Sequence, residues 1–134
     1  MKHLILALCL MLSVMAFGRG PKHDTIDVYW VYYNDSVIAK LNQNMSGTVL
    51  HIKAAQIKKG NKITVRYTTD THCPDCEETL VVKGSNGKNV FYADATGSWA
   101  PMVVKLEEMF VPSFKSYQFY YNEKTLLFTL VIDN

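Results

Sequence analysis

GNKITVRYTTDTHCPDCEETLVVKGSNG, residues 60–87, is the stretch that decides the fold. Ile63, Val65 and Tyr67 alternate with Thr64, Arg66 and Thr68, a period of two in β-branched and aromatic residues that predicts a half-buried strand over 62–69. A second strand is expected over 78–83. Asn86-Gly87 then supplies two residues that tolerate positive φ, which predicts a tight type I′ turn and an antiparallel return over 88–94. Between the first two strands, Pro74 and the aspartates Asp70 and Asp75 oppose continued pairing, so Cys73 and Cys76 belong to a loop.

Working outward, the chain has 134 residues, enough for one domain with a core that needs no metal to fold. Hydrophobic residues make up 49%, charged residues 19%, and the formal net charge is +2, with both signs interspersed. That balance lacks the basic stripe that phosphate contacts demand, so nucleic acid is not an expected partner. Lys2 and His3 precede an apolar run from Leu4 to Phe17 that ends in Ala16-Phe17-Gly18. This is the pattern of a secretory signal peptide over 1–18, and the run is too short for a membrane anchor of about 20 residues. Cys9 leaves with that segment; Leu8 before it does not suit lipidation. Cys73 and Cys76 remain as a pair in an exported, oxidising setting, and no second apolar run is long enough to span a membrane.

Residues 19–24, with Pro21, read as a lead-in to a single domain over 25–134. Strand one is expected over 25–33, with Ile26, Val28, Trp30 and Tyr32 on one face and Asp27, Tyr29, Val31 and Tyr33 on the other. Turn formers at Asn34-Asp35-Ser36 lead to a short return over 37–41. A strand over 48–57 follows, with a short helical turn at Ala54-Ala55-Gln56 as the alternative for its end. The segment 102–110 reads as a strand passing into a helical turn. Tyr117, Phe119 and Tyr121 form one face of an aromatic strand, and 125–132 is apolar throughout, as a centrally covered strand would be.

Short strands at regular intervals, with turns between them and no long helix, predict an all-β protein of two antiparallel sheets packed as a sandwich of about seven strands. Three features carry a family resemblance: the Gly-Asn turn into ITVRYTT, the later aromatic strand, and the terminal apolar strand. In this layout the chain resembles an immunoglobulin or fibronectin type III module over 25–134. The resemblance implies a two-sheet antiparallel sandwich, with Tyr117 as the candidate for a tyrosine corner. It implies no activity. The two widely spaced cysteines of antibody-type domains are lacking.

Cys73-Pro74-Asp75-Cys76, with His72 beside it, is the sharpest chemical candidate. A dithiol redox site would use this spacing, and an adjacent imidazolium would favour a thiolate. Redox pairs of this spacing work at a helix N-terminus, whereas EETLVVKG reads as a strand, which favours a structural staple. A zinc site would need a fourth ligand beyond His72, Cys73 and Cys76, from Asp70, Asp75 or His51. His51 shares a strand face with Val49 and reads instead as a satisfied, partly buried histidine. Glu77-Glu78 and Glu107-Glu108 are adjacent pairs that point to opposite faces of a strand and do not flank one bond. No hydrolase or phosphate-binding motif is present.

The aromatic residues are read first as core, with Trp99, Tyr29, Tyr33 and Tyr120 as candidates for stacking a ligand. The reading is therefore a non-catalytic exported binding or structural module without cofactor or metal, taking a protein or a glycan. An exported thiol-disulfide protein and a carbohydrate-binding module with a coplanar pair of exposed rings are the alternatives.

Overall fold

The computed structural model describes residues 27–42, 44, 45 and 47–134. The expected signal peptide over 1–18, the expected lead-in over 19–24 and the first residues of the expected strand one lie outside the described residues. Among those described, nine strands form: β1 (Val28–Tyr33), β2 (Ser36–Asn42), β3 (Thr48–Lys53), β4 (Lys62–Thr68), β5 (Glu77–Gly84), β6 (Asn89–Thr96), β7 (Pro101–Lys105), β8 (Ser116–Tyr121) and β9 (Thr125–Asp133). A single-turn helix, α1 (Leu106–Met109), follows β7, and a 3-10 turn occupies Ala54–Gln56. No described helix is long and apolar enough to cross a membrane.

The strands make two sheets, ordered β2-β1-β4-β7 and β3-β9-β8-β5-β6. Tyr29, Val31, Ile63, Val65, Met102 and Val104 from the first meet Leu80, Val82, Tyr117, Phe119, Phe128 and Leu130 from the second in one buried cluster. This is the core of a sandwich, and alternation puts it there: every second residue of each strand faces the opposite sheet. Phe119 and Phe128, cross-strand neighbours on β8 and β9, stack with centroids 4.4 Å apart at its centre. Leu106 and Met109 of α1 are also fully buried, so the helix closes one end.

Three expectations are corrected. The described strands number nine and not about seven, four in one sheet and five in the other, since every segment read as extended, including the edge strands β2 and β3, pairs into a sheet. The pairing is not wholly antiparallel: Thr48 to Lys53 run parallel to Phe128 to Asp133, because the chain leaves the first sheet after β2 and arrives alongside β9. The β5–β6 turn is not type I′. Gly87 has φ +77°, but Asn86 is not in the left-handed region; the Gly87 amide donates to the Gly84 carbonyl at 2.9 Å, and the register slips at Val82/Lys83. One glycine completing an ordinary turn with a bulge does the work expected of two residues.

His51 is likewise not partly buried. It points outward from β3, 57% exposed, and pairs with Asp133 across the parallel register at 3.1 Å. On the other side of β9, at the start of β8, the Tyr117 hydroxyl reaches back to the loop after α1, donating to the Val111 carbonyl and accepting from its amide.

Candidate functional site

The organising stretch is divided between the sheets: β4 lies in one, β5 and β6 in the other, and the loop over 69–76 crosses between them. Cys73 and Cys76 form a disulfide in this loop, with Cα atoms 5.5 Å apart. The loop docks on the β6–β7 connection at the same end. Ser98 donates its amide to the Cys73 carbonyl at 2.8 Å, Cys73 donates its amide to Ser98 Oγ at 3.0 Å, and Gly97 donates its amide to the Cys76 carbonyl at 2.8 Å. Gly97 is required there: its φ is +93°, and a Cβ would stand 2.8 Å from the Pro74 carbonyl oxygen.

This geometry bears on the sulfur chemistry. Residues 73–76 make a turn, and β5 starts directly at Glu77. Among the described residues no helix N-terminus faces either sulfur to supply the dipole that would stabilise a thiolate. His72 is exposed. Among the described residues, no group of three or more His, Cys, Asp and Glu side chains is placed to hold a metal ion.

The four aromatic candidates are not brought together. Tyr29 is a core residue, 3% exposed, because β1 lies between β2 and β4 with Tyr29 on its inner face; it presents no ring to a ligand. Tyr33 is tied into the fold, its hydroxyl donating to the Gln56 carbonyl and accepting from Asn61 Nδ2. Tyr120 lies on the outside of the five-stranded sheet under Lys83, whose Nζ is 4.6 Å from the ring centre. Trp99 stands on the outside of the other sheet, 44% exposed.

Trp99 there belongs to a ladder that the sequence reading did not assemble. Its backbone is held at φ +71° by two bonds: its amide donates to the Tyr67 carbonyl at 2.9 Å, and its carbonyl accepts from Arg66 Nη1 at 2.8 Å. The Arg66 guanidinium lies over the Trp99 ring at 5.6 Å; Trp30 meets that ring edge-on, 6.1 Å away; and Lys40 Nζ sits 4.7 Å over Trp30. Lys40, Trp30 and Arg66 are cross-strand partners on β2, β1 and β4, so one row of the sheet alternates cation and ring. An open groove of about 390 Å³ adjoins it, lined in part by Tyr32, Asn34, Lys62 and Val103. The signal for this row was the outward alternation of Trp30 and Arg66, but their alignment depends on register, which a single strand does not reveal.

A second site was missed altogether. Glu78 is 1% exposed and its Oε2 has no hydrogen-bond partner. It forms part of a pocket of about 420 Å³ between the sheets, under the stapled loop, with Tyr67, Tyr121 and both cysteines in the wall. The rings of Tyr29, Tyr67 and Tyr121 contact one another at centroid separations of 4.9–5.2 Å. Burial pushes the Glu78 carboxyl up to about 7 and the Tyr67 phenol up to about 12, the latter helped by its 2.7 Å bond to Asp27 Oδ1. Burial also raises Tyr29 and Tyr121. The alternation that separates Glu77 from Glu78 requires one of them to face the core, and that was the available clue.

Chemically, the stapled end of the sandwich offers a cationic aromatic face outside and an acidic, tyrosine-walled pocket inside. Comparison with known proteins adds no relative: no family model matches the chain, and no curated protein or solved structure is significantly similar to it.

Proposed function

We propose that this chain is an exported, non-catalytic binding module with immunoglobulin-like topology, and that the outer face of the four-stranded sheet is where its ligand docks. The topology is supported by the β1-β4-β7 neighbourhood facing β3-β9-β8-β5-β6, with β3 parallel to β9, and by the Tyr117 hydroxyl bonding backbone six residues upstream. Export is supported by the apolar run over 4–17 after Lys2 and by a disulfide, which persists in oxidising compartments.

The observation that carries the binding face is the Lys40–Trp30–Trp99–Arg66 row. Aromatic rings and arginine are the groups that dominate binding surfaces, and cations interleaved with rings suit a partner that presents carboxylates on an apolar backing. Of a glycan and a protein, an acidic protein segment fits better. A sugar stacks on coplanar exposed rings, whereas Trp30 and Trp99 stand at 77° and Arg66 covers part of Trp99. The thiol-disulfide alternative finds no helix N-terminus at Cys73 among the described residues.

Both tryptophans of the chain are in this row, so its own fluorescence reports on it. Titration with glutamate-rich peptides is expected to shift that emission saturably, with the shift lost in Arg66→Glu and Lys40→Glu. An equal response in those variants, or a response only to neutral oligosaccharides, would sink the acidic-protein reading.

A further inference from the structure

We propose a second ligand site, distinct from the outer face: the pocket at Glu78 binds a primary ammonium group carried on an alkyl chain, with the carboxylate as its counter-ion and the tyrosines as its wall. The starting point is the orphaned oxygen. Native structures pair nearly all buried side-chain polar atoms, and Glu78 Oε2, in a residue 1% exposed, is the buried side-chain atom found without a partner among the described residues. Glu78 also lines the pocket, so a ligand seated there that draws the carboxylate toward it and donates a hydrogen bond removes the penalty.

The sign of the charge follows from the wall. Glu77 and Glu78 line the pocket and Asp27 is bonded to the Tyr67 hydroxyl, while no lysine or arginine lines it. Anions are therefore repelled. Hard metal cations want six or more oxygens, and no cluster of three metal-ligating side chains forms among the described residues. An ammonium needs less: one carboxylate, a few neutral acceptors and π surface. Tyr67 and Tyr121 offer ring faces, which attract cations most when water is excluded. Thr69, Thr71 and Asn122 offer oxygens for the remaining donors. A volume of about 420 Å³ is in the range of small-molecule sites and takes an alkyl stem beside the disulfide.

Proton linkage is a consequence. Tyr29 from β1, Tyr67 from β4 and Tyr121 from β8 feel the Glu78 charge, and Asp27, ahead of β1, acts on the same three phenols; the phenols stay neutral through the physiological range, and burial puts the Glu78 transition at about 7. An ammonium prefers its ionised form, and acid should therefore weaken binding.

The probe is n-butylammonium, titrated into the full chain and followed by calorimetry, with n-butanol and butyrate as the neutral and anionic counterparts. Saturable binding of the ammonium alone is expected at pH 8, weakening about tenfold by pH 6 as Glu78 protonates. Glu78→Gln should abolish it. Thr71→Lys, an exposed rim position that leaves the buried carboxyl in place, should compete with it through the tethered amine, which keeps the test decisive if the glutamine variant misfolds. Failure of butylammonium to bind, equal binding of butanol, or unchanged binding in both variants overturns the proposal. A lysine-bearing peptide run in parallel separates the sources: tighter binding of the peptide assigns the site to a partner's lysine, and tighter binding of butylammonium assigns it to a free amine.

Discussion

The Tyr117 hydroxyl both donates to the Val111 carbonyl, at 3.1 Å, and accepts from the Val111 amide, at 2.8 Å. One side chain thus satisfies two backbone groups of the loop that carries the chain from α1 back to β8, while its ring is fully buried. Tyr117→Phe keeps the ring and strands both groups. A loss of about 1–2 kcal/mol is expected, seen as a lower urea midpoint with unchanged slope. An unchanged midpoint would mean that water replaces the hydroxyl without cost.

The Cys73–Cys76 staple encloses a very short loop, so its entropic contribution is small. Replacing both cysteines by serine should leave a folded protein weakened by no more than about 2 kcal/mol. Intact mass before and after strong reduction checks the bond directly: reduction should add two alkylation labels to whatever the unreduced protein takes up.

Gly97 bears more weight than either cysteine. In Gly97→Ala the methyl meets the Pro74 carbonyl oxygen at 2.8 Å on a backbone at φ +93°. We expect a loss on the order of 1–3 kcal/mol and faster reduction of the disulfide by dithiothreitol, because the stapled loop unseats. Wild-type reduction kinetics in this variant would show that the loop does not depend on its dock.

Glu78 makes stability pH-dependent in a direction opposite to that of a salt-bridged carboxylate. Its folded pKa is raised by burial from 4.5 to about 7, so the native state binds more protons than the unfolded chain across that interval. Stability contributed by this group is fully present below about 4.5 and is lost as pH rises through about 7. Glu78→Gln should therefore gain on the order of 2 kcal/mol over the wild type at pH 8, with the gap closing toward pH 4. A gap that is constant with pH would mean that folding leaves the Glu78 pKa unshifted.

Much of the layout was readable because period-two alternation is a local property. Ile63, Val65 and Tyr67 were assigned one face of β4, and Ile63 and Val65 are fully buried; Tyr117 and Phe119 behave likewise. The segment after Pro101 passes from strand to a helical turn as its spacing suggested. What escaped depends on partners distant in sequence. Tyr29 and Trp30 are equally aromatic, and only the side on which the five-stranded sheet packs decides that the first is core and the second surface. The parallel register of β3 with β9 joins residues about eighty positions apart and leaves no trace in either strand alone. Glu78 was overlooked because a carboxylate inside a sandwich contradicts the burial rule on which the rest of the reading relied.

The placement of β9 has a bearing on how such a chain becomes a protein at all. It lies between β8 and β3, and both lose a partner if it is missing. Until residues 125–133 are available, the earlier segments expose two unsatisfied strand edges and one half of the Phe119–Phe128 stack. Long-range pairing of this kind is slow, and its precursors are prone to aggregate. The five-stranded sheet, and with it the facing core, is therefore completed only once residues 125–133 are delivered, and anything that delays their arrival prolongs the exposure of those edges.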